Sequence, residues 1–334
     1  MKKRVIRLFV LGLCLLIGLA TATPVPAAAA KTSAKKTTKT TAKTAKTSSS
    51  SLQNVTTWGK QYDFQSYWVK KNKTMRITGN GNVADLTADL RSIRINGVTV
   101  WIGEPVKIQN GKVYMTQQDI QTSLQAIFKP TGQKKPRVVV LDPGHGGTQP
   151  GAIAKGKKEK EYVLLIAKEV KRKLEASGVK VVLTRTGDQT LGLSARPEVA
   201  KRAKADLFVS IHLNAAASTS ANGVEVFTVT PTGAQSTSVD RNGSREYTSG
   251  NRYDVQNARL AYLIQKEILR ATNMSDRGVR RDRLAVLTSS TVPSVLVEAG
   301  FITNPKDQYK IFTQTERNKI AAAIAKGILN YGNK

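Results

Sequence analysis

From Pro136 onward, five short apolar runs at 137–141, 179–184, 206–211, 223–229 and 294–298 are interleaved with helical patterns at 161–176, 195–204, 257–271 and 315–331. This interleaving constrains the chain more than any other feature. Runs without polar alternation read as strands buried on both faces, which is the signature of a parallel sheet rather than a half-exposed antiparallel one. The stretch YVLLIAKEVKRKLEASG carries apolar residues at helical spacing and stops at Gly178. Residues 136–334 are therefore expected to form an α/β domain, a mostly parallel sheet with helices on both faces.

The chain has only two histidines, and each directly follows one of these runs. VVVLDPGHGG places His145 just past a strand, and DLFVSIHLNA does the same for His212. Ligands of open α/β sheets gather beyond the carboxyl ends of the strands, so two imidazoles at that edge predict a shared metal. Hydrolytic zinc takes three side-chain ligands and keeps a position for water. Glu159 and Glu161 both stand between the glycine-rich loop and the first long helix, and spacing alone lets either complete the set. Glu298 ends the run SVLVEAGF at another strand terminus, where it can serve as general base; the competing reading is a buried acid paired to an arginine. Asp142 is expected to shape the turn before His145, Arg185 and Arg196 to pair with internal acids or with substrate carboxylates, and Glu225 to orient a histidine. Asn214 is read as facing the cleft or forming a turn.

The N-terminus has a different composition. Lys2, Lys3, Arg4 and Arg7 precede an apolar stretch from Leu8 to Ala20, and small residues follow at Ala27 to Ala30. Residues 1–30 read as a secretory signal peptide, because the apolar stretch falls short of the roughly 20 residues of a membrane span. The chain is therefore expected to be exported, to periplasm or cell wall, with no membrane span after processing. Cys14, the only cysteine, lies inside that apolar stretch, so the remaining chain needs no disulfide. Residues 31–51, KTSAKKTTKTTAKTAKTSSSS, have no apolar residue larger than Ala and read as a flexible basic linker. The formal net charge is +30, of which residues 1–51 supply ten positive charges and no acid. For an exported chain that excess fits anionic envelope polymers, contacted through the linker, and no nucleic-acid module signature accompanies it.

Residues 52–135 carry strand signals in TMRITG, SIRINGVTVWIG and GKVYMT, then a helical pattern in QQDIQTSLQAIF. Asn96-Gly97 and Asn110-Gly111 supply turns. This is expected to be a small β-rich module, separated from the next domain at Lys129 to Pro136. It resembles modules of the amine-oxidase N-terminal-like type. Trp68 and Trp101 are expected in its core rather than on a glycan platform.

Four blocks in order, VVVLDPGHGG, KEKEYVLLIA, VSIHLNA with GVEVF, and PSVLVEAGFITNP, resemble the zinc-dependent N-acetylmuramoyl-L-alanine amidases that cut peptidoglycan. The resemblance spans about 137–331. It implies Zn2+ held by His145, Glu159 and His212, with Glu298 as the catalytic glutamate, and so selects Glu159 over Glu161. The implied reaction is hydrolysis of the amide between N-acetylmuramic acid and L-alanine. A zinc peptidase acting within the stem peptide would share the metal set, and a non-catalytic wall-binding protein would not need it. The sequence departs from the family pattern at Ala285 and Thr288, where an aromatic and an arginine are usual. Segment 230–255 lacks helical periodicity, so no self-blocking helix is expected there.

Overall fold

The computed structural model describes residues 51–237 and 245–333. The expected signal peptide lies outside the described residues, as do the basic linker before Ser51 and residues 238–244 of the long loop. Eleven strands join in one sheet. In chain order they are β1 (Gln65–Lys70), β2 (Thr74–Gly79), β3 (Asn82–Thr87), β4 (Ser92–Ile95), β5 (Val98–Trp101), β6 (Val138–Pro143), β7 (Lys180–Leu183), β8 (Leu207–Asn214), β9 (Val224–Val229), β10 (Asp276–Asp282) and β11 (Ser294–Phe301). Their spatial order is β7-β6-β8-β11-β9-β10-β5-β4-β3-β2-β1.

Within residues 136–334 the sheet is mostly parallel, as expected, with one antiparallel neighbour pair. Strands β7, β6, β8 and β11 run parallel, while β9 is antiparallel to β11 and parallel to β10. The cause is the short link from Asn214 to Val224: a parallel return needs a crossover of a dozen or more residues, so the chain comes back antiparallel. Strands β5 to β1 form an antiparallel meander.

Helices cover both faces of the α/β half, as expected. These are α1 (Glu159–Glu175), α2 (Ala195–Arg202), α3 (Asp254–Thr272), α4 (Ala285–Thr288), α5 (Pro305–Phe312) and α6 (Gln314–Leu329). Val163, Ile166 and Val170 of α1, Ile264 of α3 and Ile324 of α6 share one apolar cluster with Val139, Leu141, Val209 and Val297 of the sheet. On the opposite face Ala200 of α2 and Leu287 of α4 cluster with Val140, Phe208 and Leu296. Alternate strand residues thus feed two separate apolar layers.

The meander is not set apart from this sheet. Val100 of β5 pairs with Val279 of β10, and Ile77, Leu86, Ile93 and Ile95 belong to the same apolar cluster as Val226 and Val279. The Thr99 amide donates to Asp276 Oδ2 at 2.7 Å, and Trp101 Nε1 donates to the Arg277 carbonyl at 3.0 Å. Arg281 Nη1 lies 2.6 Å from Asp119 Oδ1, with both side chains almost excluded from solvent. Without β5, β10 would be an open edge offering unpaired backbone groups. Asn96 and Gly97 turn the β4–β5 hairpin with φ of 48° and 83°, the conformation that an Asn-Gly pair adopts readily. Trp101 is half-buried at the junction, and Trp68 is half-buried on β1.

Candidate metal centre

His145, Glu159 and His212 come together at the carboxyl ends of β6 and β8, and their ligand atoms all lie within 4.8 Å of one another. Each arrives from a different element. His145 sits in the loop after β6 with φ of 58°, a left-handed backbone in a run that continues through Gly146 and Gly147. Gly144 is required by contact: a Cβ there would stand 2.2 Å from His212 Cε1. Gly151 is required likewise, since its Cβ would lie 2.5 Å from Glu159 Oε2. The glycines let backbone approach the site as closely as side chains do.

The loop is fixed from below by two buried arginines. Arg196 bonds to Asp142 Oδ1 at 2.8 Å and to the His145 carbonyl at 2.9 Å. Arg185 donates to the carbonyls of Pro143, Gly144 and Lys160. Asp142 also accepts from Thr184 Oγ1 and Ser210 Oγ, which spends its lone pairs on the turn. The structure thus uses Arg185 and Arg196 internally and Asp142 as a turn anchor.

Glu159 opens α1 and is buried, whereas Glu161 points to solvent. Its Oε1 accepts from the Leu213 amide at 2.9 Å and lies 3.1 Å from His212 Nδ1. Its Oε2 accepts from the Ala152 amide at 2.9 Å and lies 3.2 Å from His145 Nε2. Burial pushes this carboxyl toward the neutral form, and its bonds to the two histidines outweigh that, holding its pKa well below the usual range. The rings of His145 and His212 meet edge to face, with centroids 4.9 Å apart.

Glu298 stands on β11 directly beside His212 in the sheet register. Its Oε2 is shielded from solvent and has no hydrogen-bond partner among the described residues. Burial, then the negative charges of Glu159 and Glu225, raise its pKa well above the ordinary carboxyl value. The arginine-paired acid is instead its neighbour Glu225, bound by Arg277 at 3.0 Å and Arg280 at 2.8 Å. Asn214 Nδ2 donates to Glu225 Oε1 at 2.6 Å, so Glu225 faces these partners rather than a histidine. Ala285 and Thr288 lie on α4, with Ala285 exposed. In the described part of 230–255, a 3₁₀ turn, Ser249–Tyr253, leads directly into the first residues of α3 at Asp254.

The donor set suits zinc: two imidazoles and one carboxylate converge from rigid strand and helix ends, and the histidines stay partly open to solvent. Next to that set stands Glu298, a partly exposed carboxyl with one shielded, unpartnered oxygen.

The sequence pattern of the family described as N-acetylmuramoyl-L-alanine amidase matches residues 139–330. A second pattern, described as copper amine oxidase N-terminal domain, matches residues 32–139. The chain is similar to the N-acetylmuramoyl-L-alanine amidase AmiA of Escherichia coli, 37% identical over 61% of this chain and 79% of that one. It is also similar to the probable cell wall amidase LytH of Staphylococcus aureus, 34% identical over 63% of this chain and 64% of the other. Among solved structures, the N-acetylmuramoyl-L-alanine amidase AmiC2 of Nostoc punctiforme is 36% identical, with a TM-score of 0.50, over 61% of this chain and all of that one.

Proposed function

The chain belongs to the N-acetylmuramoyl-L-alanine amidase family, and from that premise we propose that it cuts peptidoglycan with a zinc ion held by His145, Glu159 and His212 and with Glu298 as proton carrier. The bond cut is the amide between the lactyl group of N-acetylmuramic acid and L-alanine. The observation that carries this reading is the pairing of a three-donor cluster with an adjacent carboxyl whose Oε2 has no partner.

Zinc in such a site supplies Lewis-acid polarisation of the scissile carbonyl and acidifies the attacking water. Glu298 takes a proton from that water and delivers it to the departing amine nitrogen, so the carbon–nitrogen bond breaks to a carboxylic acid and a free L-alanine amine. Glu159 stays ionised through its bonds to both histidines and contributes the negative charge of the cluster. Arg185 and Arg196 hold the backbone around His145, which keeps that imidazole aimed at the cluster.

The basic N-terminal linker and the signal peptide fit an enzyme delivered to the envelope, with the linker as a contact for anionic wall polymers. Among the described residues no helix is long and apolar enough to cross a membrane.

The test is digestion of purified muropeptides with and without a chelator, with products identified by mass. Release of intact stem peptides that begin at L-alanine, lost on chelation and restored by zinc, is expected. Cuts between amino acids would make the protein a peptidase, and binding without products would make it a wall-binding protein.

A further inference from the structure

We infer that the bare face of strands β1 to β5 is a second substrate surface, which holds a length of the same peptidoglycan strand that is cut at the metal centre. The inference rests on the amidase reading. It begins from one continuous row of side chains. His212 stands beside Glu298, and Glu298 beside Glu225, across three neighbouring strands. Glu225 pairs with Arg280, whose guanidinium lies 5.5 Å from the Trp101 ring centroid. Two residues before Trp101, Thr99 is registered with Arg94, Arg94 with Asp85, Asp85 with Arg76, and Arg76 with Tyr67. Alternate residues of a strand share a face, so this row lies on one face of the sheet from catalytic centre to far edge. Eight strand steps of about 4.8 Å, from β8 to β1, give it a length of about 38 Å.

The same face is treated differently along its length. In the α/β half α2 and α4 cover it. Over β1 to β4 it is open: Arg94 is exposed, Tyr67 is 51% exposed and Val83 36%, while the opposite face buries Ile77, Leu86, Ile93 and Ile95. An uncovered face with aromatic and aliphatic side chains is a recognised mark of an interaction site.

Its chemistry fits a glycan carrying acidic peptides. Tyr67 offers an open apolar ring face with a polar edge, which suits a sugar ring. Arg76, Arg94, Arg277 and Arg280 along and beside the row outnumber Asp85, Glu225 and Glu298, and Arg94, exposed and away from any acid but Asp85, leaves positive charge for the carboxylates of stem peptides. A polymer engaged at Glu298 must continue over some neighbouring surface, and this one leads away from the cleft without a break in the sheet.

The test uses the full chain carrying Glu298→Gln to prevent turnover, co-sedimented with insoluble peptidoglycan stripped of its attached anionic polymers. Adding Tyr67→Ala and Arg94→Glu together should weaken binding about tenfold, the loss expected for one aromatic anchor and one charge contact. With Glu298 restored, the same pair should lower the ratio of cleavage rate on the polymer to that on a soluble disaccharide-peptide by a similar factor. Unchanged binding, or equal rate losses on both substrates, would overturn the inference. So would binding that vanishes on stripping, which would assign the face to anionic polymers, or a change of oligomeric state, which would assign it to a second copy. If neither substrate is cut by the parent chain while the surface variant still weakens binding, the surface stands and the amidase reading fails.

Discussion

Two regions of this sheet bury acids in opposite ways. Where β5 meets β10, Asp119 is held by Arg281 at 2.6 Å, and Glu225 is held by both Arg277 and Arg280. At the carboxyl ends of β8 and β11, only a strand away from Glu225, Glu298 keeps a shielded oxygen with no hydrogen-bond partner among the described residues. A buried charge left without a partner is costly, so a fold that supplies arginines to one acid and none to its neighbour separates a structural role from a chemical one. Glu159 is the intermediate case, more deeply buried than Glu298 but ionised by the two histidines.

The contrast is open to breaking, and the largest effect should come from Glu298. Replacing it with Gln removes proton transfer while preserving shape, and turnover of muropeptides should fall by about 10³-fold, within the usual range for a lost general base. A fall of less than tenfold would place the base elsewhere.

Next is the junction. Arg281→Met leaves Asp119 buried without its cation, which should cost about 3–5 kcal/mol in urea unfolding. Because one apolar cluster runs from Ile77 to Val297, the loss should appear in a single transition of the whole chain. Two separate transitions would show that the meander folds as an independent unit.

A further, half-buried acid gives an effect that depends on pH. Burial pushes the Asp254 carboxyl up to about 7, against the opposing influence of Asn251, Arg281 and Arg283. Its ordinary value is about 3.9, so the folded state favours the protonated form. The stability from this group is therefore complete below about pH 4 and is lost as pH rises through about 7. Asp254→Asn should flatten that slope in thermal unfolding between pH 4 and pH 8; an unchanged slope would assign it to another group.

The smallest effect belongs to an uncharged contact. Asn304 caps α5 by accepting from the Lys306 and Asp307 amides. Asn304→Ala should cost about 1 kcal/mol in the same urea assay, well below the junction ion pair.

The parts of this site legible in the sequence are those whose burial is written in apolar residues. His145 and His212 follow runs that remain strands β6 and β8, so their place at the sheet edge was readable. Glu159 was not readable from spacing, because Glu161 is equally near; the helix start that buries one and exposes the other decides it. Strand β10, DRGVRRD, escaped notice because its charged residues are buried only through acids distant in the chain, Asp119 and Glu225. The same blindness hid the joined sheet. Pro130 and Pro136 mark a real break in regular structure, but edge pairing between β5 and β10 leaves no mark on local composition. The antiparallel return of β9 follows from loop length, a feature the apolar pattern does not carry.

The most direct measurement is zinc content, determined side by side for the parent chain, Glu298→Gln and Glu159→Gln. The account predicts one zinc per chain in the parent and in Glu298→Gln, and a large loss of zinc in Glu159→Gln. Zinc lost from Glu298→Gln, or retained in Glu159→Gln, would contradict the division between a ligand carboxylate and a proton-carrying one.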